Sequence, residues 1–265
     1  MNVFLFELRS QTKSIIYWTI GLLAICGLFM MLYPSFSSDT SQMKDMLSAY
    51  PPELLRSINI NIDQMFSMSG FYPFAFTYVS FGGAVCALNF GLGVISKENR
   101  AKTTDFLLSK PLKRYNIITQ KLLSILCSIL IIDIIYIIGT VIMCKMAAST
   151  PFSLVGVVLI SITLFFIQLV FAAIGVVVGT FFKRVKSVVP ISLSISFGFF
   201  ALEMIDAFIN KNLMQYISPF KYFNYTEIVS KQGYRASSIM TVIVVTAMCI
   251  AVSYYWYIKQ DAKNV

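Results

Sequence analysis

Histidine is absent from this 265-residue chain, and acids and bases together make up only 12% of it. The first absence removes the commonest metal ligand and the usual general base. None of the 13 glycines is followed by lysine, so the phosphate-binding pattern GxxxxGK[ST] does not occur. HExxH, GxSxG and a GxGxxG opening a soluble helix are missing too. With no nucleophile–base pair to name, neither catalysis nor a cofactor is expected within this chain. The five cysteines (Cys26, Cys86, Cys127, Cys144, Cys249) form no CxxC pair and lie in or beside apolar runs. That placement fits membrane-packed thiols rather than a disulfide framework or a metal site. The opening "MNVFLFELRSQTKS" lacks the basic start and small-residue cleavage site of a signal peptide. There is no internal repeat and no low-complexity tract.

What the chain has instead is apolar sequence, 57% of all residues. A soluble domain of this length has no interior large enough for it, whereas a membrane-spanning helix needs about 20 mostly apolar residues. Six such runs stand between polar breaks: Ile15–Tyr33, Tyr72–Ile95, Thr119–Met143, Ser153–Phe182, Ser187–Asp206 and Ser237–Ile258. The expected fold is therefore an all-α integral membrane protein forming one transmembrane domain over residues 1–265. Pro34, which has no N–H to donate, is expected to close the first span. Residues 1–14, with Phe4, Leu5, Phe6 and Leu8 among polar neighbours, predict a helix lying along the membrane surface. An outer loop, 34–71, follows the first span, and its "PPELLRSINI" predicts a short helix opened by proline.

The sparse charge is unevenly placed. With a cytoplasmic N-terminus, fourteen Lys and Arg fall on the inner side and seven on the outer. The positive-inside rule thus favours cytoplasmic N- and C-termini, although the outer segment 207–236 carries four of the seven. The net charge of +9 is then explained by topology and contact with anionic lipid, and no nucleic-acid partner is expected.

Asp133 stands near the middle of the third run, in "ILIIDIIYII". A carboxylate at that depth costs about 2.5–3.5 kcal/mol on insertion scales and should face protein or water. Two readings stand open: a polar point on a translocation path, or a protonated acid bonded to an amide such as Asn89 or Gln168. Glu203 and Asp206 read as ordinary acids at a helix end. Ser80, Ala84, Ala87 and Gly91 share one helical face, and so do Ala172, Gly175 and Gly179; small faces of this kind admit close helix contact, within the chain or across a dimer. Met43, Met46, Met65 and Met68 read as apolar faces rather than soft metal ligands.

Seven of the basic residues crowd into Ser96–Lys121, the inner loop between the second and third spans. The same stretch hides an apolar knot, Phe106-Leu107-Leu108. Thr103 or Thr104 is placed to cap a short helix over Asp105–Lys110, with Asp105 at its positive end and Pro111 stopping it. By composition the knot either dips among lipid headgroups or serves as a docking knob for a soluble partner. "GVISKENRAKTTDFLLSKPLKRYNIITQKLL" resembles the corresponding loop in membrane subunits of type-2 ABC exporters, at Glu98, Thr103, Thr104, Leu107, Leu108, Ser109, Pro111, Arg114 and Lys121. "YPPELLRSI" and "SPFKYFN" (Ser218–Asn224) are looser likenesses, and "TTD" stands where that family often has Gly-Thr.

The resemblance implies that the loop at 96–118 is a cytoplasmic coupling helix docking on a separate ABC ATPase subunit, which would bind the ATP and Mg. Phe106, Leu107 and Leu108 would pack into that partner, with Glu98, Lys102, Thr103, Asp105, Lys110, Pro111 and Arg114 orienting the contact. It further implies a second permease copy or paralogue, re-entrant helices between the fifth and sixth spans, and a bacterial cell membrane. The spans offer few charges to a polar solute, so the expected cargo is a peptide antibiotic or an amphipathic drug. Two other functions fit the residues alone: an ion- or proton-coupled transporter using Asp133, and a membrane sensor or scaffold whose inner loop recruits a signalling protein.

Overall fold

The computed structural model describes residues 3–38, 40–51, 54–55, 64–101, 114–148, 152–182, 185, 187–209 and 217–259. Among them the chain is helical with short connections. Six long helices carry the apolar runs: α1 (Val3–Ser38), α3 (Met68–Ala101), α4 (Arg114–Ala147), α5 (Leu154–Phe181), α6 (Val188–Ile209) and α8 (Ala236–Lys259). Each is long and apolar enough to cross a membrane. Helices are the expected outcome, because in lipid every backbone N–H and C=O must be paired within its own segment. Two short helices, α2 (Thr40–Ser48) and α7 (Tyr225–Lys231), lie in the connections.

The helix expected to lie on the surface over residues 1–14 is not a separate element. Val3–Ser38 is one continuous helix, roughly 54 Å long at 1.5 Å per residue. No Gly or Pro interrupts its first five turns, and Glu7 and Gln11 are buried against other helices rather than turned toward a surface. Nor does Pro34 end the first span. It sits inside α1, four residues before its end, where its missing N–H forfeits the one bond that would go back to Met30 O.

α3 is the hub of the bundle, packed against α1, α4, α5 and α6. Its most extensive contact is with α5, and here Gly91 of one small face foreseen in the sequence meets Ala172 of the other. Gly91 lies against Ala172 and Val176, Gly175 against Leu88 and Leu92, and Gly179 against Ile95. The pairing runs in parallel. α4 and α6 run antiparallel to α3: Tyr72 bonds Tyr136 and Lys121 bonds Val94, while Phe81 meets Phe200 and Gly93 faces Val188. α8 follows α5, with Trp256 on Phe181, and reaches the start of α4 through the bond from Thr119 to Tyr254. The start of α1 and the end of α8 therefore lie at the same end of the bundle.

At the opposite end, Leu54 and Leu55 N–H both donate to Pro51 O, at 3.1 and 3.4 Å, while most of the short helix expected over "PPELLRSINI" lies outside the described residues. Met65 and Met68 are buried in the core, as apolar faces would be, whereas Met46 is exposed. After α6 the chain folds back along the bundle. Ser218 Oγ donates to Phe199 O, a 3-10 turn spans Pro219–Lys221, and Asn224 caps α7 by accepting from Glu227 N. Lys231 donates to the Glu227 carboxylate, holding its carboxyl below the usual range, with Arg235 adding to the effect. Phe220 packs on Phe171, and Phe223 stacks on Phe166. Those partners stand at the middle of α5, so the segment reaches about half its depth.

Candidate functional site

The predicted coupling residues Lys102, Thr103, Asp105, Phe106, Leu107, Leu108, Lys110 and Pro111 lie outside the described residues, as does the short helix expected over 105–110. Glu98 and Arg114 are placed by backbone only, Glu98 in the last turn of α3 and Arg114 at the first residue of α4. The two stems of the loop are well defined. Lys121 on α4 is fully buried and donates from Nζ to Val94 O of α3, at 2.9 Å. A lysine stem can be buried this way because its four methylenes pack while the ammonium finds a carbonyl.

The first turns of α1 touch both stems. Lys97 Nζ, one residue before Glu98, lies 3.1 Å from Glu7 Oε2, 2.9 Å from Ser10 Oγ and 4.7 Å from the centre of the Phe6 ring. Phe4 N donates to Gln120 Oε1 on α4 at 3.2 Å. One turn further in, Gln11 donates to Ser124 Oγ (3.3 Å) and accepts from Ser128 Oγ (2.8 Å). Glu7, Ser10 and Gln11 fall at helical spacing on one side of α1.

A second set of polar side chains lies among α3, α4 and α5, with Tyr72 and Ser161 in the turns toward the end opposite the loop. The Tyr72 hydroxyl shares hydrogen bonds with Ser161 Oγ (2.7 Å) and Tyr136 Oη (3.1 Å), all three residues being fully buried. Asp133, one turn before Tyr136, is only 3% exposed, and neither carboxylate oxygen has a hydrogen-bond partner among the described residues. It lies within electrostatic reach of the Cys86 thiol. Gln168 is fully buried with both ends of its amide unpartnered. Its Nε2 would come within 3.1 Å of a Cβ placed on Gly83, so the glycine makes room for it.

The family model described as ABC-2 family transporter protein matches residues 1–262, the charged loop and both polar groups included. The chain belongs to the ABC-2 transporter family. Membership makes it the membrane protein of an ABC transporter system, multi-pass and of a kind that is typically non-catalytic. Among curated proteins no match is found.

Of the three polar residues predicted within the spans of this ABC-2 transporter, the structure brings two to neighbouring turns. Asp133 and Gln168 both border the Gly83–Cys86 turn of α3, but neither bonds the other or Asn89. Asn89 is half-buried on α3, and the antiparallel register with α6 sets it level with Ser192. Sequence reasoning missed Tyr72, Tyr136 and Ser161, although "IIDIIYII" already showed a second polar side chain one turn from Asp133. It also missed Glu7 and Gln11, whose signal was a carboxylate and an amide four residues apart before an apolar run.

Proposed function

We propose that this chain is the permease subunit of an ATP-driven ABC exporter, without catalytic activity of its own. Its loop at 96–118 docks on a separate ATPase subunit that holds ATP and Mg. Two permeases, identical or paralogous, assemble with two ATPases, and closure of the ATPase pair moves the loop and switches the path from inward to outward access. The observation that carries this reading is where the loop is rooted. Its stems are α3, the hub of the bundle, and α4, held together by the buried Lys121–Val94 bond. A push on the loop therefore arrives at the helix that touches most of the others. The family match across the loop and the absence of a phosphate loop point the same way.

The basic end of the bundle is taken as cytoplasmic, with both termini there. The segment 207–236 then enters from the outer side, and its reach to Phe171 supports a re-entrant arrangement. Asp133 and Gln168 serve as polar points on the path, supported by their unpartnered buried groups. The cargo is amphipathic, a peptide antibiotic or lipid-like drug. Gly91, Ala172, Gly175 and Gly179 are occupied in the contact between α3 and α5, which leaves the exposed sides of α1, α6 and α8 to lipid or to the second permease.

The test is co-expression with a phosphate-loop ATPase from the same genome. ATP hydrolysis in membranes should change when this chain is present and the two should co-purify. Transport that runs on an ion gradient without ATP and is abolished by Asp133→Asn would instead favour the ion-coupled reading.

A further inference from the structure

α1 has a role at the loop that its place in the bundle does not require. Most of its length packs along α4 through apolar and sulfur contacts, such as Met30 with Cys144. Among the described residues its first turns bond to two helices at once: buried Glu7 and exposed Ser10 toward α3, and the part-buried Phe4 N–H and buried Gln11 toward α4. Glu7 is nearly inaccessible, its side chain 3% exposed against 32% for Lys97. A buried ion pair is a poor way to gain stability compared with apolar residues of the same size, and it is best attested as a device that fixes register. Here the register fixed is that of the residues immediately before and after the charged loop.

Resting on the permease reading above, we propose that the first turns of α1 are a third strut of the coupling machinery. Glu7 is its positioning residue. Through Lys97 it grips the stem that enters the loop. The Phe4–Gln120 bond grips the stem that leaves it. A displacement of residues 102–113 is thereby delivered to α1, α3 and α4 as one unit, rather than absorbed by bending at Ala101 or Arg114. The Phe6 ring over the ammonium and the Ser10 hydroxyl leave Lys97 few alternative directions.

The test compares the wild-type chain, Glu7→Gln, and the reversed pair Glu7→Lys with Lys97→Glu. In the chain alone, backbone hydrogen exchange is read over 97–101 and 114–120. In Glu7→Gln both stretches should exchange faster together, and the reversed pair should restore both. Faster exchange confined to 97–101, or no change in either, overturns the strut, because an isolated ion pair loosens its own helix only. In the complex, Glu7→Gln should co-purify with the ATPase at wild-type yield, and any fall in its melting temperature should be recovered by the reversed pair. The change that the permease causes in ATP hydrolysis should nevertheless fall at least about fivefold, the lower end of common coupling effects, and the reversed pair should recover it. Unchanged hydrolysis, or a loss matched by a lower melting temperature that the reversed pair does not repair, overturns it equally. Should the wild-type chain fail to bind the ATPase, the permease reading fails, and the exchange measurement still decides the strut.

Discussion

Gly91 of α3 sits so close to Ala172 of α5 that a methyl group on it would lie 2.2 Å from the Ala172 carbonyl oxygen. Backbone is the obstacle, so no rotamer change relieves it. Gly91→Ala is expected to destabilise the chain by about 1–3 kcal/mol, the range for overpacking. Nothing lies within 4 Å of the same methyl at Gly198, and Gly198→Ala should be neutral or stabilising by up to about 1 kcal/mol, from helix propensity alone. Thermal unfolding of both variants in one detergent checks the contrast.

The Tyr72 hydroxyl joins α3 to α4 and α5 at a single point. Tyr72→Phe removes both bonds and leaves Tyr136 without that partner, so a loss of about 1–3 kcal/mol is expected. Ser161→Ala should cost less, since Tyr72 keeps Tyr136. Equal losses for the two would mean that the hydroxyls are not linked as described.

Asp133 is predicted to separate stability from activity. An unpartnered buried carboxyl is a liability to folding, so Asp133→Leu should raise stability by about 1–3 kcal/mol, the cost of leaving such a group unsatisfied. As a polar point on the path it should at the same time lose export of an amphipathic dye or peptide. A stabilised variant with undiminished export would assign Asp133 no part in transport.

The six spans were legible because a lipid-crossing helix must be a long apolar run, and the polar breaks between runs are unmistakable. The small faces of the second and fourth spans were legible as faces, but not as partners for each other. Gly91 and Ala172 are eighty-one positions apart, and nothing in either run names the other. The surface helix expected over residues 1–14 is not set apart from the first span, for a related reason. Polar residues before a span look solvent-directed until a partner such as Lys97, ninety residues away, is seen to bury Glu7. Pro34 misled because a proline near a helix end forfeits little, so it marks the last turns without stopping them. Asp133 was visible as an anomaly of depth, whereas Tyr72, Tyr136 and Ser161 come from three different helices and only packing joins them. The docking role proposed for the loop rests on its motif and charge, and its residues 102–113 lie outside those described.

The proposed docking role is the part of the account most directly open to test. Leu107→Asp with Leu108→Asp places two carboxylates in the apolar knot while leaving every span intact. The decisive measurement is co-purification of the phosphate-loop ATPase with the wild-type chain and with this double variant, each confirmed to be inserted in the membrane. Recovery of the ATPase with the wild type and its loss, by an order of magnitude or more, with the variant is predicted, since buried interface anchors typically contribute about 2 kcal/mol or more each. Equal recovery with both chains would contradict the coupling role assigned to this loop.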